Sequence, residues 1–187
     1  WTLEFADDTS GLIVAKDEAE LQIAIHLMMA KFRHYFNSMG MCLNESKCEL
    51  IVFRSSAKVF TQTLPGGQEE VNCVRLLGLW IDNDYKFQTH TEKVCQKLRF
   101  KIANLNRVRP YLSQEKAKLI TESLILSTVS YMGILYLRLP TNQKKIQRML
   151  NLAMRSVLKA EPRRHIADMN LELYWLNSRN LWEYLLI

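Results

Sequence analysis

The stretch Trp1–Ala15, "WTLEFADDTSGLIVA", places two adjacent aspartates, Asp7 and Asp8, between apolar segments rich in β-forming residues. The pattern predicts a β-hairpin at residues 2–15, with Ile13 and Val14 in its second strand. Neighbouring residues of an ideal strand face opposite sides, so a tight turn is needed to bring both carboxylates to one place. Crowded carboxylates repel each other, and a divalent cation bound through oxygen relieves the repulsion. The pair therefore indicates a Mg²⁺ or Mn²⁺ site, and the alternative is a solvent-exposed acidic turn.

A long amphipathic helix is predicted after the hairpin, from Asp17 to Ser38, because apolar residues recur there at three- and four-residue steps. Asp17 and Glu20 resemble a capping box at its start. Gly40 is well placed to end the helix in the left-handed conformation.

The next segment predicts more strands. A polar turn at Asn44–Lys47 leads into a β-rich run from Cys48 to Phe53. The turn residues "LPGG", Leu64–Gly67, separate this run from a second strand region, Val71–Asp82, which Gly78 interrupts. The order of elements predicts an α+β fold in which a helix packs on one face of a largely antiparallel sheet.

Beyond Phe87 the pattern changes to long helices, so we expect a boundary near this residue. Pro110 and Pro140 are expected to separate three of these helices. The predicted helices cover residues 92–108, 114–137 and 143–158.

The net charge of +6 is unevenly distributed. Residues 1–53 carry four Lys or Arg against eight Asp or Glu, whereas residues 86–187 carry eighteen against seven. An acidic N-terminal part followed by a basic C-terminal part is typical of a protein with a cation site beside a surface that binds a polyanion. A solvated basic helix face is the simpler alternative.

Several classes of protein are disfavoured. The four cysteines and four histidines are dispersed without zinc-site or disulfide spacing. No apolar run is long enough to span a membrane, and the start does not resemble a signal peptide, so we expect an intracellular protein that is not secreted. Because the chain starts at Trp1 and stops in the apolar "EYLLI", we expect it to be a fragment.

Three motifs, in order, resemble segments of reverse transcriptases. "FADD" at Phe5–Asp8 is similar to the polymerase hairpin, "GMCLNESKCELIVF" at Gly40–Phe53 to the palm segment after it, and "VRLLGLWID" at Val74–Asp82 to the primer grip. Phe5 and the final segment Leu171–Ile187 resemble the enzymes of non-LTR retrotransposons. The resemblance covers essentially the whole chain. It implies part of a polymerase palm at 1–87, an all-helical thumb at 88–165 and a truncated post-thumb segment at 166–187.

The resemblance also implies an activity: template-directed, metal-dependent transfer of deoxynucleotides to a primer 3′-hydroxyl. Its partners are an RNA template, a DNA primer and deoxynucleoside triphosphates. Asp7 is implied as the direct metal ligand and Asp8 as a second acidic group, where two metal ions stabilise the attacking oxygen and the leaving pyrophosphate. Lys47 matches the palm lysine that assists the leaving pyrophosphate, or is an ordinary turn lysine. Leu77 and Gly78 match the primer-grip turn, or form a plain β-bulge.

The basic helices fit binding to a nucleic-acid backbone, which is sequence-independent and salt-sensitive. Helix periodicity places only some of the basic candidates on one face, and for the aromatic residues core packing is expected over base stacking. The basic candidates are Lys93, Lys97, Arg99 and Lys101, and the aromatic ones are Trp80, Tyr85, Phe87 and Phe100.

In the resembling family a further aspartate strand and the fingers precede the hairpin, and this sequence does not contain them. We therefore expect the isolated chain to be inactive and to need the upstream fingers and palm of a parent polyprotein, in the nucleus, the cytoplasm or both. The alternatives are a decayed, non-enzymatic nucleic-acid-binding protein and a helical structural domain.

Overall fold

The computed structural model describes residues 2–5, 8–54 and 60–186 of the 187-residue chain. It is a mixed α+β structure, as the sequence predicts. The described residues form two compact units. Those of Trp1–Leu76 and Ile81–Tyr85 make up the N-terminal unit, and those of Leu77–Trp80 and Lys86–Ile187 make up the helical unit.

The predicted hairpin is confirmed. Strand β1 (Thr2–Phe5) pairs antiparallel with β2 (Asp8–Gly11), and the register runs from Thr2 opposite Gly11 to Phe5 opposite Asp8. The second strand ends at Gly11, so Ile13 and Val14 follow the strand instead of belonging to it.

Helix α1 (Glu18–Ser38) is confirmed with both of its predicted ends. The Asp17 carboxylate accepts a hydrogen bond from the Glu20 amide at 2.8 Å, although the Glu20 side chain accepts from Lys16 N and not from Asp17. Gly40 has φ +72°, and Met41 N donates to Phe36 O at 2.9 Å, which closes a Schellman motif.

The hairpin packs against α1 at Gly11. A Cβ at this glycine would lie 2.4 Å from Met28 Sδ and 3.2 Å from the Phe32 ring. A larger residue would have to displace the end of the Met28 side chain, so Gly11 allows the close approach of β2 to the helix.

A small core holds the N-terminal unit together around Ile25, Met29 and Leu64. A loop packs on it through Gln62, which is fully buried and donates from its amide to Glu18 O at 3.0 Å. The residues that complete this core are Ile13, Leu21, Phe32, Leu43, Cys48 and Leu50.

The strand predicted at Cys48–Phe53 is wrong. This run makes a single parallel bridge, Ile51 to Val71, because residues 60–70 turn back and pair with themselves, as in the bridge of Thr63 with Glu69. Strands β3 (Cys73–Leu76) and β4 (Leu79–Asp82) form a second hairpin. The described strands therefore make two separate two-stranded sheets instead of the one sheet predicted.

The helical unit follows the predicted pattern at 92–108 and 143–158, but both helices begin earlier. Both prolines lie at helix boundaries, as predicted. Pro110 lies in the 3₁₀ turn Arg109–Tyr111 between two helices, and Pro140 is the first residue of its helix, where its missing N–H costs nothing. The helices are α2 (Gln88–Val108), α3 (Gln114–Thr121), α4 (Ser127–Ser130), α5 (Pro140–Leu158), α6 (Ile166–Leu173) and α7 (Ser178–Tyr184). Shorter turns are the 3₁₀ segments Glu45–Lys47, Arg109–Tyr111 and Gly133–Arg138 and the π-helical segment Glu122–Leu126.

The single helix predicted at 114–137 is wrong, because tertiary packing interrupts it. The chain leaves the helix at Tyr131, and Met132 adopts φ +54°. Gly133 then lies so close to Trp182 that an added Cβ would be 2.1 Å from its ring. The break admits Trp182 into one core with Leu98, Ile125, Ile146 and Met154.

None of the helices in the described ranges combines the length and the apolarity needed to cross a bilayer.

Candidate functional site

The acidic hairpin turn is described only in part. Asp8 is the first residue of β2, is solvent-exposed and lies opposite Phe5. Asp7 lies outside the described residues. Its role as a metal ligand therefore stays a prediction.

The predicted metal site needs oxygen donors, and the exposed carboxylate of Asp8 provides the type of donor that Mg²⁺ and Mn²⁺ prefer. Among the described residues, no group of three or more His, Cys, Asp or Glu side chains is placed to hold a metal ion.

Lys47 ends the 3₁₀ turn Glu45–Lys47, and its side chain is exposed. The turn is tied to α1 by two hydrogen bonds from the Arg33 guanidinium to the Glu45 carboxylate, one of them Nη2 to Oε2 at 2.8 Å. These bonds to Arg33 lower the pKa of Glu45 below its ordinary value. The ammonium of Lys47 is thus presented to solvent on a turn that an ion pair anchors.

Leu77 and Gly78 form the two-residue turn of the β3–β4 hairpin and not a β-bulge. Their φ angles are +46° and +85°, and positive values at both central residues are typical of a type I′ turn. The Tyr131 hydroxyl donates to Leu77 O, and a Cβ at Gly78 would lie 3.3 Å from that hydroxyl oxygen. The turn is backbone held in place by a tyrosine, and its role as a primer grip stays a prediction.

The two turn residues respond in opposite directions to substitution. Leu77→Asn should raise the free energy of unfolding by about 0.5–1 kcal/mol, because Asn tolerates the left-handed conformation better than Leu. Gly78→Ala should lower it by about 1–2 kcal/mol, because alanine is strained at a φ of +85°. Urea denaturation followed by tryptophan fluorescence measures both. Changes of the same sign for the two variants would contradict this account of the turn.

The four basic residues predicted to contact nucleic acid lie on different faces of α2. Lys93 and Lys97 are exposed and lie one turn apart, and the Lys93 ammonium is 5.6 Å from the centre of the Trp80 ring. Phe100 follows one turn after Lys97 and is 68% exposed. Core packing was therefore the wrong expectation for Phe100, which gives the outer face of α2 an aromatic group between cations.

Tyr85 is also not a core residue, since it is 55% exposed. Its ring stacks on Phe53 with centroids 4.1 Å apart and an interplanar angle of 15°. Trp80 and Phe87 are half-buried, so packing accounts for part of each side chain.

Lys101 and Arg99 do not join the exposed lysines. The Lys101 ammonium donates to Leu124 O and to Thr128 Oγ1, both at 2.6 Å, and burial together with the charge of Lys97 lowers its pKa. Arg99 faces a cleft between α2 and α5, where Arg155 also lies. The structure thus brings Lys93 and Lys97 together and directs Arg99 and Lys101 elsewhere.

Sequence reasoning missed this cleft. A signal was present in the spacing, because Arg99 falls out of step with the four-residue repeat of Lys93, Lys97 and Lys101. Such an offset indicates a second face of the helix.

Comparisons with protein families, with curated proteins and with solved structures found no match.

Proposed function

We propose that this chain is part of an RNA-directed DNA polymerase similar to those of non-LTR retrotransposons, which transfers deoxynucleotides to a primer 3′-hydroxyl. The observation that carries the proposal is the first hairpin. It pairs Phe5 with Asp8 and is packed on α1 through Gly11. This supports a palm hairpin in which the Asp8 carboxylate is accessible.

The remaining motifs support the same proposal. Lys47 is exposed on an anchored turn, as assistance to a leaving pyrophosphate requires. The tight Leu77–Gly78 turn, which has no side chain at Gly78, supports a primer-grip role because a strand can approach such a backbone closely. Asp7, Asp8 and Lys47 form the proposed catalytic set, and Leu77 and Gly78 form the proposed primer grip.

The proposed cofactor is Mg²⁺ or Mn²⁺, held by Asp7 and Asp8. When bound, such a metal stabilises negative charge on the oxygens of the reacting phosphate. The proposed partners are an RNA template, a DNA primer, deoxynucleoside triphosphates and an upstream fingers and palm segment of a parent polyprotein. The proposed setting is intracellular, in the nucleus, the cytoplasm or both, and the proposed division is palm 1–87, thumb 88–165 and post-thumb 166–187.

A second function, nucleic-acid binding without catalysis, is favoured by the outer face of α2. No acidic residue occurs between Lys93 and Tyr111, and the exposed Phe100 lies among the lysines. Exposed cations with an interleaved aromatic ring are typical of surfaces that bind a phosphate backbone and stack on bases.

One binding experiment separates the two functions. Fluorescence anisotropy would measure the affinity for a labelled RNA–DNA hybrid, with and without Mg²⁺ and a deoxynucleoside triphosphate. The protein used is the chain joined to the upstream fingers and palm segment that the proposed polymerase needs. For a polymerase we expect Mg²⁺ with the matching nucleotide to strengthen hybrid binding severalfold, and Asp7→Asn or Asp8→Asn to abolish this gain. The matched control is Asp168→Asn, which changes an exposed aspartate of α6 and should leave the gain intact.

The other outcomes have separate meanings. Hybrid binding that falls with salt but ignores Mg²⁺, the nucleotide and Asp7→Asn would reject the polymerase and support the binding protein. Absence of hybrid binding at physiological salt would reject both functions and favour a helical structural domain.

A further inference from the structure

A cleft of about 730 Å³ lies between the C-terminal halves of α2 and α5, inside the helical unit. Its volume falls within the range of about 300–1,000 Å³ that is typical of small-molecule sites. The site needs neither Asp7 nor Asp8, so it is separate from the proposed catalytic set.

The floor of the cleft is apolar. It is lined by Ile102 and Ala103 from α2, by Pro110 from the 3₁₀ turn Arg109–Tyr111 and by Leu152 from α5. Leu152 is 46% exposed, so it offers apolar surface that the fold itself does not cover. Such a floor suits the face of a flat ring.

Every ionisable residue that lines the cleft is cationic: Arg99, Arg109, Arg155 and Lys159. Within the described part of the chain no carboxylate joins them. These side chains bring four positive charges to the cleft.

Arg109 is already committed to the fold. It is 7% exposed and donates to Val157 O at 2.6 Å, to Ser156 O at 3.1 Å and to Leu112 O at 2.8 Å. A helix C-terminus carries roughly half a negative charge, so the single charge of Arg109 more than offsets the end of α5, whose carbonyls it binds. The other three cations therefore remain in excess.

These three cations have donors to spare. Across the described residues, the side chains of Arg99 and Lys159 make no hydrogen bond or ion pair. Arg155 donates from Nη1 to Asn151 O at 3.3 Å, while its buried Nε has no acceptor. The guanidinium groups of Arg99 on α2 and Arg155 on α5 thus have unused N–H donors, as does the Lys159 ammonium. Such donors are suited to bind phosphate oxygens.

We propose that this cleft binds a phosphate monoester attached to a flat aromatic base whose face lies on the apolar floor, the chemistry of a nucleoside 5′-monophosphate. The phosphate pairs with Arg99, Arg155 and Lys159, and the ring lies on the floor at Leu152. The ligand is either a free mononucleotide or the 5′-phosphorylated end of a nucleic-acid strand, since both present the same groups.

Isothermal titration calorimetry on the full 187-residue chain tests the proposal with deoxyadenosine 5′-monophosphate. We expect it to bind at least tenfold more tightly than inorganic phosphate, which lacks the ring, and than deoxyadenosine, which lacks the charge. Equal affinity for inorganic phosphate and the nucleotide would overturn the proposal.

Two variants and one matched control locate the site. Arg99→Gln should weaken nucleotide binding by about tenfold or more, because a charge-assisted hydrogen bond is lost. Leu152→Glu should abolish binding by placing a carboxylate in the cleft. Lys116→Gln removes an exposed cation from α3, away from the residues that line the cleft, and should change the affinity by less than about twofold. Equal losses for Arg99→Gln and Lys116→Gln would mean non-specific attraction to a basic protein and would overturn the proposal.

The dinucleotide pd(AA), which has a 5′-phosphate, and d(AA), which lacks it, distinguish a free mononucleotide from the 5′-phosphorylated end of a strand as the ligand. Binding of pd(AA) as tight as that of the mononucleotide, with d(AA) much weaker, assigns the cleft to strand ends. Tight binding of the mononucleotide alone assigns it to a free nucleotide. Equal binding of pd(AA) and d(AA) would overturn the proposal, because the terminal phosphate then makes no contact.

Discussion

Replacing Trp182 by alanine should lower the free energy of unfolding of the helical unit by about 4 kcal/mol, in the range of large-to-small changes at buried aromatic residues. Trp182 is 1% exposed and its ring centroid lies 5.2 Å from that of Tyr136. Its indole N–H donates to Val129 O at 2.9 Å, and alanine would leave this buried carbonyl without a donor. The substitution therefore combines a cavity with an unsatisfied polar group.

Urea denaturation followed by circular dichroism at 222 nm measures this loss, because helices dominate that signal. Tyr184→Ala is the matched control, since it removes an aromatic side chain from the same helix, α7, where it is 68% exposed. We expect the control to change stability by less than about 1 kcal/mol. Similar losses for the two variants would contradict the central position of Trp182.

Replacing Arg109 by alanine should lower the free energy of unfolding by about 3 kcal/mol. Its guanidinium supplies donors to Ser156 O and Val157 O, two of the last carbonyls of α5, which no turn of that helix can satisfy. Leaving buried carbonyls unpaired costs about 1–3 kcal/mol each, with partial relief from water that enters the cleft. Arg109→Lys should recover only part of the loss, because an ammonium cannot reproduce the planar fork.

Arg107→Ala is the control for this prediction. Arg107 lies in the last turn of α2 and is exposed, so its removal deletes a similar charge without touching buried carbonyls. Chemical denaturation of the three variants in parallel compares them directly. An Arg107→Ala loss equal to that of Arg109→Ala would show that net charge, and not the cap on α5, sets the stability.

Features encoded by local chemistry could be predicted from the sequence. The start and end of α1 follow from Asp17 and Gly40, each of which acts on backbone groups within a few residues. The first hairpin follows from a short β-prone pattern around a turn. In each case the interaction that decides the structure is contained in the segment itself.

Features that depend on distant partners could not be predicted in the same way. The run Cys48–Phe53 has strand-forming residues, but a strand needs a neighbour, and residues 60–70 pair with themselves. The break after α4 depends on Trp182, about fifty positions away in the sequence. A local sequence pattern does not indicate which distant residues will come into contact.

The same distinction between local and distant interactions applies to the residues of the candidate site. Exposed turn residues such as Asp8 and Lys47 could be identified from short motifs. The destinations of Arg99 and Lys101 could not, because helical spacing gives the face of a residue and not what packs against that face. The cleft between α2 and α5 is visible only once both helices are placed.

The π-helical segment Glu122–Leu126 has a consequence for how this chain tolerates length changes. A π turn closes on one residue more than an α turn, so the segment is equivalent to an insertion of one residue into a regular helix. The wider π turn accommodates this residue, so the helical faces before and after it keep their phase. Deleting one residue there should therefore convert the segment to regular α-helix and leave Val129, 1% exposed, in the core. A second extra residue, with no wider turn to absorb it, would rotate the residues that follow in α4 by about 100° around the helix axis and move Val129 out of the core.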